Sequence, residues 1–249
     1  VRALGIVCRV NAPEAPDPWP RRFGLGCVAG CAALGLLLTA CGSTVPGHPA
    51  TESRQTTVIR HIVADLGSML PTAAQFPDTY PPVALSGSDA IGADADLRGI
   101  PSGATVVPPE CAASPPSDPR RIAATAGADE DTRASITVEL IRTTDPLSRL
   151  RTQLQQCGTV HAQHGPLTNT VVTQLDPAAP VNADDSLAWR RTVSGQRGGP
   201  GLTRSMRALA AQIGDVRIIS TYLTFGEDKP DMTALDQVFT AAVQNVDKG

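Results

Sequence analysis

Lysine is almost missing from this 249-residue chain: Lys229 and Lys248 stand against nineteen arginines. With no lysine-rich run and a net charge of −3, the chain lacks the basic stripe that nucleic acid requires, and no nucleic-acid partner is expected. It equally lacks the polybasic patch that an anionic lipid surface attracts. Aromatic residues make up only 3% of the chain. Past residue 40 they are Phe76, Tyr80, Trp189, Tyr222, Phe225 and Phe239, too scattered to form a stacking platform for sugars or bases. Catalytic signatures are missing as well. G-x-S-x-G, H-E-x-x-H, S-x-x-K, a P-loop and G-x-G-x-x-G do not occur, and the glycines at Gly24, Gly26 and Gly30 belong to an apolar leader. No catalytic residue, metal or cofactor is predicted.

Long hydrophobic runs are limited to residues 23–38, which follow the pair Arg21-Arg22. That run is shorter than the roughly 20 apolar residues of a membrane-spanning helix and reads as the h-region of a signal peptide. Leu38-Thr39-Ala40-Cys41 ends it as a lipobox: a branched apolar residue, two small residues, then a thiol. Small side chains admit a peptidase to the bond before Cys41, and the thiol can carry a thioether-linked diacylglycerol. Two or three acyl chains hold more firmly than the single chain whose binding is marginal. The chain begins at Val1 with no methionine before Met69, which suggests a GTG start placed too far upstream. Export by the general secretory route is read in preference to the twin-arginine route, whose consensus stops at Arg21-Arg22. Cleavage before Cys41 removes four of the 21 basic and two of the 24 acidic residues, leaving 17 and 22, a net −5.

Of six cysteines, Cys8, Cys27 and Cys31 lie in the leader and Cys41 is the lipid carrier. Cys111 and Cys157 remain, and in an oxidising compartment they are predicted to form one disulfide. The competing arrangement is a metal site from Cys157, His161 and His164, but no second cysteine pair lies near to complete it.

The organisation follows: residues 1–40 are leader and signal peptide, 41–55 a lipidated cysteine with a flexible tether, and 56–249 one domain. Val58, Ile59, Ile62, Val63, Leu66, Met69 and Leu70 recur at helical spacing, predicting an amphipathic helix that ends before Pro71 and pairs His61 with Asp65 on its exposed side. Residues 75–119 read as loops with short apolar pieces near Val83-Ala84-Leu85 and Val106-Val107, forming either short strands or one short helix near Ala90 to Leu97. Residues 136–141 alternate as a strand, with 122–126 as hairpin partner. Asp145-Pro146 opens a helix whose apolar face carries Leu147, Leu150, Leu154 and Cys157. His161 and His164 fall in a loop. Residues 168–175, 187–193 and 216–225 read as strands; residues 202–213 fit either a helix, through Leu202, Met206, Leu209 and Ile213, or a strand joined to the last one by the turn Gly214-Asp215, and the strand is preferred. A helix beginning near Asp231 buries Leu235, Val238, Phe239, Ala242 and Val246. The class is α+β: an antiparallel sheet packed by helices in a single exported domain with one disulfide.

Arg190, Arg191, Arg197, Arg204 and Arg207 cluster on two neighbouring strands beside Trp189. Guanidinium forks that converge can hold phosphate or carboxylate, although arginine standing in for lysine on solvated faces gives the same pattern. Strand alternation sends Arg190 and Arg191 to opposite faces, and Arg204 and Arg207 likewise. Asp184-Asp185 reads as a solvated turn rather than an acid/base pair.

The lipobox, the Cys111 and Cys157 pair, Trp189-Arg190-Arg191-Thr192-Val193, the Ile213-Gly214-Asp215-Val216 hairpin and the closing helix together resemble mycobacterial cell-envelope lipoproteins of unknown function. More remotely, they resemble the extracellular sensor domain of mycobacterial receptor Ser/Thr kinases of the PknH type. That resemblance covers most of residues 56–247 and implies an antiparallel sheet with helices and a polar cleft, with Trp189, Arg190 and Arg191 on the matching strand. The expectation is a non-enzymatic, ligand-binding or sensor-like domain. It would be lipid-anchored through Cys41 on the extracytoplasmic face of the cell membrane and take a small anionic or envelope-derived ligand at Trp189, Arg190, Arg191, Arg204 and Arg207. The alternative is a lipid or glycolipid carrier with a deep apolar cavity.

Overall fold

Alternating apolar residues in long strands dictate a two-faced sheet, and each face needs a cover. The computed structural model describes residues 59–112, 116–195, 203–226 and 229–249; the leader, the Cys41 lipobox, the tether, Arg197 and Leu202 lie outside them. The strands are β1 (Pro82–Leu85), β2 (Thr105–Val107), β3 (Ile122–Ala128), β4 (Ser135–Arg142), β5 (Thr159–His164), β6 (Leu167–Asp176), β7 (Asp185–Gly195), β8 (Arg204–Ile213) and β9 (Val216–Phe225). They form one antiparallel sheet in the order β1-β3-β4-β9-β8-β7-β6-β5-β2. The helices are α1 (Gly87–Arg98), α2 (Leu147–Gln156) and α3 (Met232–Lys248). Fold class and disulfide are as the sequence implies: α+β, an antiparallel sheet packed by helices, with Cys111 bonded to Cys157.

Helix α3 covers one face. Asp231 caps it by accepting the Ala234 N–H at 3.0 Å. Leu235, Val238, Phe239, Ala242 and Val246, at three- and four-residue spacing, meet Ile136, Val138 and Leu140 of β4 and Leu209, Ala211, Val216 and Ile218 of the β8–β9 hairpin. The opposite face is crossed by α1 and α2. Ser86 caps α1, and Gly99 ends it at φ +73° beside Val193 and Val171, where an added Cβ would collide with Val193. Leu147 and Leu154 of α2 pack on Leu187, Trp189, Ala208 and Ala210.

Three local expectations are corrected. The helix expected through residue 70 is an extended strap followed by a short 3-10 turn at Leu66–Met69. Ile62, Leu66 and Met69 do face the core, but Asp215 sets their spacing. Its carboxylate accepts the Ile62 N–H at 2.9 Å and sits 2.6 Å from His61 Nδ1, while its own N–H donates to the Arg60 carbonyl at 2.9 Å. Arg142 donates to both Asp215 oxygens, at 3.1 and 3.0 Å, and to the Ile62 and Ala64 carbonyls. His61 therefore pairs with Asp215, and Asp65 instead caps the turn through the Gly67 N–H. Second, His161 and His164 belong to β5, with only Val160 and Ala162 buried between exposed neighbours. Third, α2 is capped at Pro146, one residue later than expected, and Asp145 bonds Arg149 at 3.1 Å.

Candidate functional site

On the face opposite α3, alternation lines up residues of very different character. β4 presents Glu139 and Ile141, β9 presents Arg217, Ile219 and Thr221, and β8 presents Met206. β7 presents Trp189 and Arg191, and β6 presents Val171 and Thr173. Asp94, Leu97 and Arg98 descend from α1, and Leu150, Gln153 and Leu154 from α2. The Cys111–Cys157 disulfide, with Cα atoms 5.7 Å apart, ties the turn after β2 to the end of α2 across the top. Between these elements lies a cavity of about 110 Å³. It opens through Arg98, Ile141 and Arg217 onto an outer, more polar basin of about 510 Å³ that includes Asp118, Arg121, Arg142 and Asp145.

Charge is distributed unevenly in this cavity. Asp94 is buried, and Arg98 neutralises it through a two-pronged pair at 2.9 and 3.0 Å. Among the described residues Arg191 has neutral partners only: its Nε donates to Thr173 Oγ1, directly across the β6–β7 ladder, and Nη1 to the Leu97 carbonyl, both at 3.0 Å. Arg217 donates to Gln212 Oε1 at 3.3 Å and to the Asp145 carbonyl at 2.8 Å. Burial, reinforced by the Arg98 charge and opposed by Asp94, holds the Arg191 guanidinium down to about 10. Burial and Arg98 lower Arg217 too, against the pull of Asp145.

Glu139 is 2% exposed, and its Oε1 has no hydrogen-bond partner. Burial, with the Asp94 charge adding and Arg98 opposing, pushes its carboxyl up to about 8. Raised in this direction, the carboxyl favours its neutral form, in which it can donate a hydrogen bond into the cavity. Among the described residues the cluster thus carries one internal ion pair, two guanidiniums without a carboxylate partner, and one buried carboxyl shifted toward its neutral form.

The residues singled out in the sequence divide between the faces. Trp189 and Arg191 line the cavity. Arg190 and Arg207 stand opposite each other in register on the α3 face and share Asp176; Arg207 donates to its Oδ2 at 2.7 Å, and Arg190 also reaches Gln174. Arg204 lies on the cavity side but outside the cavity, donating to the Asp96 carbonyl at 3.4 Å. Asp184 accepts the Gly214 N–H and Asp185 pairs with Arg151, so these adjacent carboxylates work apart. The disulfide removes Cys157 from the metal arrangement with His161 and His164. Among the described residues no group of three or more His, Cys, Asp or Glu side chains is placed to hold a metal.

Sequence reasoning missed Glu139, Asp94, Arg98 and Arg217. Glu139 carried a signal, an acidic residue inside the apolar run 136–141 whose neighbours fill both faces. The four-residue spacing of Asp94 and Arg98 was another.

No family model matches the chain, and neither does any curated protein. Among solved structures it is similar to an uncharacterised protein from Mycobacterium smegmatis at 17% identity, with 74% of this chain and 97% of that one covered and a TM-score of 0.45. It is also similar to the extracellular domain of PknH from Mycobacterium tuberculosis at 13% identity, with 76% and 99% covered and a TM-score of 0.44.

Proposed function

We propose that this protein is a non-enzymatic ligand-binding domain, lipid-anchored through Cys41 at the extracytoplasmic face of the cell membrane, and that its site is the cavity under the Cys111–Cys157 bridge. The observation that carries the reading is the pairing of Arg191 and Arg217, neither with a carboxylate partner, with the buried and unpartnered Glu139 Oε1 on one cavity wall. Polar groups removed from water without partners cost several kcal/mol, and a bound polar molecule offsets that cost. Both cysteines at the cavity are bonded to each other, so neither is a free thiol. The volume speaks against the carrier alternative: about 110 Å³ is below the ≈300–1,000 Å³ of pockets for drug-sized ligands. Of the arginines picked out in the sequence, Arg191 belongs to this site, with Trp189 beside it. Arg190, Arg204 and Arg207 do not line it.

Thermal melting of the purified chain against small carboxylates, amines and neutral amides tests the reading. One class should raise the melting temperature, and Val171→Phe, which fills the cavity from β6, should abolish that rise. No response to any class, or an unchanged response in the filled variant, contradicts it.

A further inference from the structure

Resting on the cavity as binding site, we propose that Glu139 acts in its acid form as the recognition donor that commits the site to a small organic carboxylate with an apolar body. Three observations lead there. Glu139 is buried against the cavity with one carboxyl oxygen unpartnered, so a group inside the cavity is what it can serve. The charged groups that line the cavity with it are Asp94 and Arg98 from α1, Arg191 from β7 and Arg217 from β9, of which Asp94 and Arg98 act on its carboxyl, while α2 contributes the uncharged Gln153. Asp94 is satisfied by Arg98, so the surplus is positive and the occupant that balances it is an anion. The remaining walls, Leu97, Ile100, Val160, Trp189, Met206 and Ile219, are apolar. A cavity of about 110 Å³ approaches the ≈150 Å³ cavity that accepts a benzene ring.

A carboxylate meets a protonated carboxyl in a short, charge-assisted O–H···O⁻ bond, with the proton shared between the two. A phosphate dianion brings three oxygens and a second charge, whereas Glu139 has a single O–H to offer. Loss of the Glu139 proton turns the donor into a like charge. Binding is then complete while Glu139 holds its proton, which burial maintains to about pH 8, and weakens above that. The expected fall is about tenfold per pH unit, with one proton taken up per ligand bound.

Titration calorimetry of the full chain with benzoate and butyrate, from pH 6 to 9.5 in buffers of differing ionisation heat, tests this. Wild type should bind at least one of the two, prefer it over benzamide and inorganic phosphate by tenfold or more, and take up a proton in the alkaline range. Glu139→Gln, which keeps a neutral donor, should bind at pH 7 and lose the alkaline fall. That separates Glu139 from the guanidiniums, whose titration the substitution leaves in place. The wild-type profile and proton count stand alone if Glu139→Gln does not fold. Failure to bind either carboxylate, equal binding of benzamide, preference for phosphate, or an identical alkaline fall in Glu139→Gln overturns the proposal. If an amide or amine binds instead and Val171→Phe blocks it, the cavity remains the site and only this inference fails. If no class binds, both fail.

Discussion

Asp215 shows how much one side chain settles. Burial alone would raise its carboxyl, but the Ile62 N–H, His61 and Arg142 outweigh burial and hold it below the ordinary carboxylate range. Such a group binds its proton less readily folded than unfolded. Its stabilisation is therefore complete above the unfolded value near pH 4, and is lost as the pH falls through the lower folded value. Asp215→Asn keeps the shape but leaves Arg142, whose side chain is 23% exposed, without its charge partner. Urea unfolding at pH 7 should show a loss of about 2–3 kcal/mol, and the acid dependence between pH 5 and 2 should flatten relative to wild type. Asp118 and Asp129, also lowered by hydrogen bonds, remain in the variant and keep some slope. An unchanged slope would mean that the latch contributes nothing.

At the scale of elements, the cavity depends on two helices held over one sheet face. The disulfide ties the turn after β2 to the end of α2 across a separation of 46 residues, a loop whose closure stabilises by about 4 kcal/mol in the chain-entropy model. Reduction, or Cys111→Ser with Cys157→Ser, should lower the unfolding free energy by about that amount and loosen the cover over the site; equal stability of oxidised and reduced chains contradicts this. The strands β4 and β9 and helix α3 were readable in the sequence because apolar side chains repeat along the face they turn to the common core: Ile136, Val138 and Leu140 on β4, Val216 and Ile218 on β9, and Leu235, Val238, Phe239 and Val246 along one stripe of α3. The strap misled because Ile62, Leu66 and Met69 copy helical spacing while long-range bonds to Asp215 hold it extended. Strand β5 was hidden because two buried residues among exposed histidines and glutamine make a weak alternation. The site was half legible. Arg191 and Trp189 stood out locally, whereas Glu139 takes its character first from burial and then from the Asp94 charge, 45 positions away in the chain and brought to the same cavity by α1.

For the whole molecule, the sheet separates two environments. One face is closed by α3 and serves stability; the other is incompletely closed by α1 and α2 and keeps the cavity. The proposed anchor at Cys41 has its own test. Cys41→Ala should abolish acylation and leave the precursor uncleaved. Intact mass of the membrane fraction reads this, and an unmodified Cys41 in mature protein contradicts it. The ligand site is read most directly from the three methionines. Met206 lines the cavity, Met69 lies in the α3-side core, and Met232 starts α3. In the full chain labelled with ¹³C at the methionine methyls, titration with benzoate should move the Met206 resonance in a saturable way and leave Met69 and Met232 in place. A Met206 signal that stays still while the others shift, or no saturable shift at all, would contradict a ligand site in this cavity.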